Sequence, residues 1–146
     1  MAITSAVCNS FKQEILEAEH NFTASTGNTF NIALYTSSVT LGASTTAYSD
    51  TNEITNTSGT AYTAGGAALT SVTPVLDSST AVCDFSDISW TSASFTANGC
   101  LIYNDSHTSN AAVCAVAFGG DKTVSSGTFT IQFPAAAATT AIVRIA

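Results

Sequence analysis

Few residues of this 146-residue sequence could do chemistry, and only one run holds the three residue types of a catalytic triad. That run is Asp105-Ser106-His107. In hydrolases the triad members come from separate elements, so that their side chains converge. Three consecutive positions lack this arrangement, and residues 104–110 have the composition of a polar turn. The signature motifs of α/β-hydrolases, P-loop proteins and dinucleotide-binding enzymes are also absent from the sequence. We therefore predict no catalytic residues and no enzymatic activity.

The carboxylates include two loose pairs, Asp50 with Glu53 and Asp84 with Asp87. Either pair could join a calcium site together with backbone carbonyls, but neither has the spacing of an EF-hand loop. Glycoside hydrolysis would need two carboxylates at a defined separation in a cleft, which a sequence does not reveal. We interpret these four residues as solvated turn residues and helix caps, and we predict no metal and no cofactor.

The four cysteines are widely spaced, at Cys8, Cys83, Cys100 and Cys114. No two of them have the C-x-x-C spacing of a zinc or redox motif. The last three lie in apolar runs typical of strands, where a free thiol behaves as a small hydrophobic group. We expect buried free thiols, and a disulfide is the alternative.

Aromatic residues could form the exposed platform of a carbohydrate-binding module. Trp90 shares a strand face with Ile88, which favours a place in the core. Tyr48 and Tyr62 lie in a polar stretch and are the better surface candidates. Tyr35 and Tyr103 are the remaining tyrosines. Carbohydrate binding therefore stays open as a second interpretation.

One amphipathic helix is predicted near residues 5–20. Val7, Phe11 and Ile15 recur every four positions and form an apolar stripe. Ser5 or Ser10 could begin the helix, and Asn21 could end it.

From Thr29 onward the apolar period changes to two, which indicates β-strands. Phe30, Ile32 and Leu34 alternate with Asn31, Ala33 and Tyr35, which predicts a half-buried strand. The same alternation in residues 128–133, with Phe129, Ile131 and Phe133 on one face, predicts another strand. Turns are predicted at Asn98-Gly99, at Gly119-Gly120-Asp121 and at Ser125-Ser126-Gly127.

The spacing of these strands predicts a mainly β protein, an antiparallel β-sandwich or a jelly-roll-like barrel with one short N-terminal α-helix. We expect a single domain over residues 1–146, with the sandwich over residues 29–146. Residues 41–66 contain few large apolar groups, so we predict that they form one long polar connection. Long connections of this kind are often functional.

Composition excludes several classes of protein. The net charge is −7, with three basic against ten acidic residues, which makes nucleic acid a poor partner. A mean hydropathy of +0.28 argues against disorder. No apolar stretch approaches the length of a membrane span. The opening residues lack a basic region and a long apolar run, so we expect synthesis in a cytoplasm. The N-glycosylation matches at Asn21, Asn56 and Asn104 would matter only in a secretory pathway.

The sequence resembles a family of small virion structural proteins of tailed bacteriophages. The strings that carry the resemblance run in order through nearly the whole chain, from AITSAVCNSFKQEIL through FNIALYTSS to CLIYND. The most distinctive pieces are Tyr62-Thr63-Ala64-Gly65-Gly66 and Trp90-Thr91-Ser92.

The resemblance implies a head decoration or cement protein on the outer capsid surface of a virion. The implied partners are the major capsid protein and other copies of the chain, and the implied place of synthesis is the host cytoplasm. A component of the tail, neck or fibre that binds a receptor or glycan is the alternative. No catalytic residues are implied. Because the capsid offers three-fold positions, we expect a homotrimer. Gly65 and Gly66 are expected to allow a tight bend or a close backbone approach.

Overall fold

The fold is mainly β with one short helix. The computed structural model describes residues 1–54 and 61–146. In these ranges the chain forms eight strands and one helix: β1 (Ala6–Val7), α1 (Asn9–Leu16), β2 (Phe30–Tyr35), β3 (Ala67–Ala68), β4 (Ser71–Asp77), β5 (Thr80–Phe85), β6 (Ile88–Asn104), β7 (Ala112–Ile131) and β8 (Val143–Ile145).

The strands form two antiparallel sheets, as in a β-sandwich. The larger sheet has the order β1-β7-β6-β2-β3, and the smaller has the order β4-β5-β8. The sheets meet through aromatic side chains. The ring of Phe30 on β2 lies 5.9 Å from that of Phe85 on β5 and 4.2 Å from that of Phe22. The predicted fold class is therefore confirmed.

Strand β2 lies at the centre of this packing and is buried on both faces. The alternation of Phe30, Ile32 and Leu34 predicts a half-buried strand, but Ala33 and Tyr35 on the opposite face are buried as well. That prediction was wrong because the second face is covered by the polar connection, which a period-two pattern does not show.

The helix is shorter than the stripe predicts. The predicted range is 5–20, but Ala6 and Val7 form β1 and pair with Ala115 and Cys114 of β7. The helix begins after Cys8, whose side chain makes no capping bond, and Ala18 just beyond its end has a φ of 61°. Val7 is thus outside the helix. Phe11 is buried in the core as expected, at 2% exposure.

Three predicted turns lie inside the long β6–β7 hairpin. Gly99 pairs with Ala117, whereas Ala97 pairs with Lys122, so residues 118–121 bulge out of the register. A smaller irregularity falls around Ser126, whose φ is 47°. Glycine and small polar residues mark bulges as well as turns, which explains the error.

The polar connection has little regular structure over its described residues, as predicted. Isolated bridges tie Leu41 to Ile3, Ala47 to Ala111 and Glu53 to Tyr35. Gly66 has a φ of +77°, and a Cβ at this position would lie 1.8 Å from the carbonyl oxygen of Ile32. The close backbone approach expected at Gly66 is confirmed. Asn56 lies outside the described residues.

Candidate functional site

Asp105, Ser106 and His107, which we interpret from the sequence as part of a polar turn, do not converge as a triad. Ser106 Oγ accepts a hydrogen bond of 2.8 Å from the backbone N–H of Thr29. His107 uses Nδ1 for Ser109 Oγ, at 2.9 Å, while its Nε2 lies 3.5 Å from Glu19 Oε2. These contacts hold the turn between β6 and β7, in agreement with its interpretation as a polar turn.

The paired carboxylates divide into different roles. Asp84 Oδ1 accepts from the N–H of Phe85, and Asp87 Oδ1 accepts from the N–H of Phe133. Glu53 is 4% exposed, so its assignment as a solvated residue was wrong. Within residues 1–54 and 61–146, no group of three or more His, Cys, Asp or Glu side chains is placed to hold a metal ion.

Glu53 is the centre of a buried polar cluster. Its Oε1 accepts hydrogen bonds from Tyr62 Oη at 2.5 Å and from the N–H of Gly65 at 2.8 Å. Its Oε2 accepts from Tyr48 Oη at 2.6 Å. A buried carboxylate without partners would cost several kcal/mol, and these three donors offset that cost.

The other two tyrosines complete the cluster. Tyr35 Oη donates to the carbonyl of Ser49 at 2.7 Å, and Tyr103 Oη donates to the carbonyl of Gly65 at 2.7 Å. The Tyr48 and Tyr103 rings stack with centroids 4.7 Å apart. We call Glu53 with these four tyrosines the tyrosine cluster. It connects both ends of the polar connection to β2 and β6.

The electrostatics of the tyrosine cluster favour neutral phenols. Burial, followed by the hydrogen bond to Glu53, raises the pKa of both Tyr48 and Tyr62. Burial and then the charge of Glu53 raise the pKa of Tyr35. Each of these phenols is therefore protonated, and a hydrogen-bond donor, at neutral pH.

The five aromatic side chains considered for a sugar-binding platform are all buried or half-buried in the described part of the chain. Tyr62 is 1% exposed, and Tyr48 is half-buried against Glu53, so the expectation that they lie on the surface was wrong. Trp90 is buried as predicted, with its ring 5.9 Å from that of Tyr62.

A second buried network joins the end of α1 to the hairpin. Asn104 Oδ1 accepts from the N–H of Ser106, so its amide group Nδ2 faces His20 Nδ1 at 3.2 Å. His20 Nδ1 is therefore the acceptor, and Nε2–H donates to Glu14 Oε2 at 2.8 Å. Both ring nitrogens are used, which gives this histidine a structural role.

All four cysteines lie in the described ranges as free thiols. Cys100 and Cys114 are buried as predicted, whereas Cys83 is half-buried. Burial raises the pKa of Cys8 and of Cys83 to about 11 and that of Cys100 to about 12. Such thiols are poor nucleophiles at neutral pH.

An apolar groove of about 480 Å³ lies between α1 and the smaller sheet. On the helix side it is lined by Phe11 and Ile15. On the sheet side its apolar lining comes from Pro74, Ala81, Val82, Cys83, Val143 and Ile145. The row Leu76, Ala81 and Ile145 crosses the three strands on one face.

The smaller sheet also carries most of the exposed apolar side chains. Of the six large hydrophobic residues exposed in the described part of the chain, four belong to β4 and β8. We call these four, Val72, Val75, Leu76 and Ile145, the β4 surface. Leu76 alone is 72% exposed.

Neither the tyrosine cluster nor the β4 surface was predicted from the sequence. Glu53 stands out in the sequence only as part of a pair with Asp50, and its burial depends on tertiary contacts. The alternation in β4 resembles that of any half-buried strand. The signal available for the cluster was the concentration of tyrosines around the one glutamate of the polar connection.

The one helix of the described residues, α1, lacks the length and apolar character needed to cross a membrane. No family model, curated protein or solved structure matches the chain.

Proposed function

We propose that this chain is a non-enzymatic structural protein of a tailed bacteriophage particle. In this role it binds the major capsid protein on the outer head surface and stabilises the head. The observation that carries the proposal is the β4 surface. Leu76 and Ile145 lie on one face of the smaller sheet with Ala81 between them, and both are exposed. Exposed apolar side chains that lie together in this way mark a surface that a partner covers.

The charges beside the groove indicate what such a partner would present. The lining residue Ala18 lies between Glu17 and Glu19, both exposed. A partner segment with apolar side chains and neighbouring basic residues would fill the groove and meet these carboxylates. Such charges would add to the specificity and rate of docking more than to its affinity.

Other features support an assembled, non-catalytic protein. Ser, Thr and Ala make up nearly half of the sequence, so the side chains on the surface are largely small and uncharged. Surfaces of this kind form hydrogen-bonded contacts with bridging water. The net charge of −7 suits an external position better than contact with packaged DNA. The free thiols fit assembly in a reducing cytoplasm.

The test uses phage particles depleted of this protein. Purified protein is added back, and the temperature at which the particles release DNA is compared with that of depleted and complete particles. Addition should raise the release temperature, because ligands that bind only the intact head stabilise it by mass action. The Leu76→Asp variant should fail to bind. Ser125→Asp, which changes an exposed residue of the larger sheet, should behave as the natural sequence does.

Equal release temperatures for depleted and complete particles would contradict the head-stabilising role. If labelled protein then maps to the tail or neck, a receptor-binding or glycan-binding role takes its place. Self-association is part of the proposal, and the trimer stays a prediction from the sequence.

A further inference from the structure

The distal half of the β6–β7 hairpin is a two-stranded ribbon. Strand β2 pairs with β6 only from Gly99 onward, and β1 pairs with β7 only at Cys114 and Ala115. Beyond Ala117, the residues of β7 up to Ile131 pair on one side alone, with β6. An isolated two-stranded ribbon is marginally stable, and an open strand edge readily adds another strand.

The end of β7 has the composition of an unprotected edge. Residues 128–133 read Thr-Phe-Thr-Ile-Gln-Phe, with strict alternation and no charge, glycine or proline. Short segments of this kind pair readily with other strands. The bulges that blunt an edge lie earlier in β7, around Gly120 and Ser126, and Pro134 follows the segment. We call residues 128–133 the edge segment.

The backbone of the edge segment has hydrogen-bonding groups directed outward. The N–H of Phe133 donates to Asp87 on the β6 side. Because N–H groups alternate along an extended strand, those of Thr130 and Gln132 point toward the open edge. Both residues are exposed.

A shallow apolar groove of about 460 Å³ runs beside this edge. Its apolar lining comes from Val116, Phe118, Phe129 and Ile131. An open edge beside an apolar groove is the arrangement used in strand addition, in which the backbone bonds give affinity and the groove accepts alternate side chains.

The order of residues in the edge segment favours a second copy of the chain as the occupant, because its apolar side chains Phe129, Ile131 and Phe133 are spaced symmetrically about Ile131. All ten carboxylates precede Lys122, and residues 122–146 contain only the two cations Lys122 and Arg144. Two molecules of net charge −7 repel each other through most surfaces. The edge segment itself carries no charge, and the Asp87 carboxylate that accepts from the N–H of Phe133 lies on the β6 side of the ribbon rather than at the open edge.

We infer that the edge segment pairs antiparallel with the same segment of a second copy. A register centred on Ile131 places Phe129 opposite Phe133 of the second copy, which keeps the apolar side chains on one face. It places Thr130 opposite Gln132 of the second copy. A strand paired with its own copy has two-fold symmetry, so this contact predicts a dimer, where the sequence predicts a trimer.

The test measures the mass of the purified chain by sedimentation, without any capsid. The natural sequence should form a dimer. Thr130→Lys, which places two like charges near each other across the two-fold axis, should raise the dimer dissociation constant by about tenfold or more. Thr123→Lys is the matched control. Both threonines are exposed, and each shares a 2.8 Å hydroxyl contact with β6, to Ser89 and Thr96 respectively. The control should leave the dimer dissociation constant unchanged, and both variants should have the same melting temperature.

A cysteine cross-link tests the register. Ile131→Cys should form a disulfide-linked dimer under mild oxidation, since directly opposed residues in a non-hydrogen-bonded pair have the required Cα separation. Thr123→Cys should not. A monomeric or trimeric natural protein, equal weakening by both lysine variants, or an Ile131→Cys variant that forms no cross-link would overturn the inference. Because no capsid enters the measurement, its failure would leave the proposed head-binding role untouched.

Discussion

Tyr62 donates a hydrogen bond of 2.5 Å to Glu53 while accepting one of 2.9 Å from the backbone N–H of Leu34. The phenol thus links the carboxylate of the polar connection to the central strand β2. Gly65, in the same stretch, supplies a further donor to Glu53. The polar connection is therefore fixed to the core at one buried charge.

Replacing Glu53 by Gln should destabilise the fold by roughly 2–4 kcal/mol, because hydrogen bonds to a buried charge are worth more than neutral ones and one amide group would face donors. Urea denaturation followed by tryptophan fluorescence measures the change in the free energy of unfolding. Asp50→Asn, at an exposed carboxylate three residues earlier, should change it by less than about 0.5 kcal/mol. Equal effects would contradict the central role of Glu53.

Phe11→Ala should lower the free energy of unfolding by about 3 kcal/mol or more, because it removes a buried ring. That ring lies 4.9 Å from His20 and 6.0 Å from Phe22. Thermal and urea denaturation both report the loss. Leu16→Ala, at the exposed end of the same helix, is the control and should have little effect. An unchanged melting temperature for Phe11→Ala would show that α1 does not pack on the core.

Gly66→Ala should prevent folding or destabilise it severely. The added methyl group would overlap the Ile32 carbonyl, and the φ of +77° is unfavourable for alanine. Gly42→Ala is the matched control, since the nearest atoms to its Cβ would lie at 3.7 Å. Soluble yield and the denaturation midpoint separate the two. A stable Gly66→Ala variant would mean that the polar connection can move away from β2.

Stability should fall at alkaline pH. Folding raises the pKa of Cys8 from 9.0 to about 11, so between these values the unfolded chain releases a proton that the folded chain keeps. The stabilisation is complete below pH 9 and is lost as the pH rises, by up to about 1.4 kcal/mol per pH unit for each such thiol. The other thiols and the tyrosines shift in the same direction. Urea midpoints at pH 8, 9 and 10 measure the decline, and a constant midpoint would contradict it.

The sequence predicts the repetitive parts of the fold. Apolar residues alternate along β2 and along residues 128–133. This alternation identifies strands, because burial of at least one face of a strand imposes a period of two. The predicted helix is too long because Val7 continues the apolar stripe of Phe11 and Ile15. In the structure Val7 instead pairs with β7 and is part of a strand. Whether Val7 joins the helix or a strand depends on a pairing partner more than 100 residues away, which the neighbouring sequence does not reveal.

The candidate surfaces were harder to predict for the same reason. The burial of Glu53 results from Tyr48 and Tyr62, whose polar neighbours in the sequence are typical of surface residues. The β4 surface appears only when one knows that β4 is an edge strand. Alternation shows which residues share a face, but not whether another layer covers it.

The pairing of Ala6 with Ala115 has a consequence for folding during synthesis. The β6–β7 hairpin closes over a short turn, so its loop-closure entropy is small and it can form early. Strand β1 has no partner until β7 has left the ribosome, so a strand made long before β7 is among the last to pair. During that interval Ala6, Val7 and the apolar side of α1 are exposed to other nascent chains, and chaperone binding to this segment would protect it.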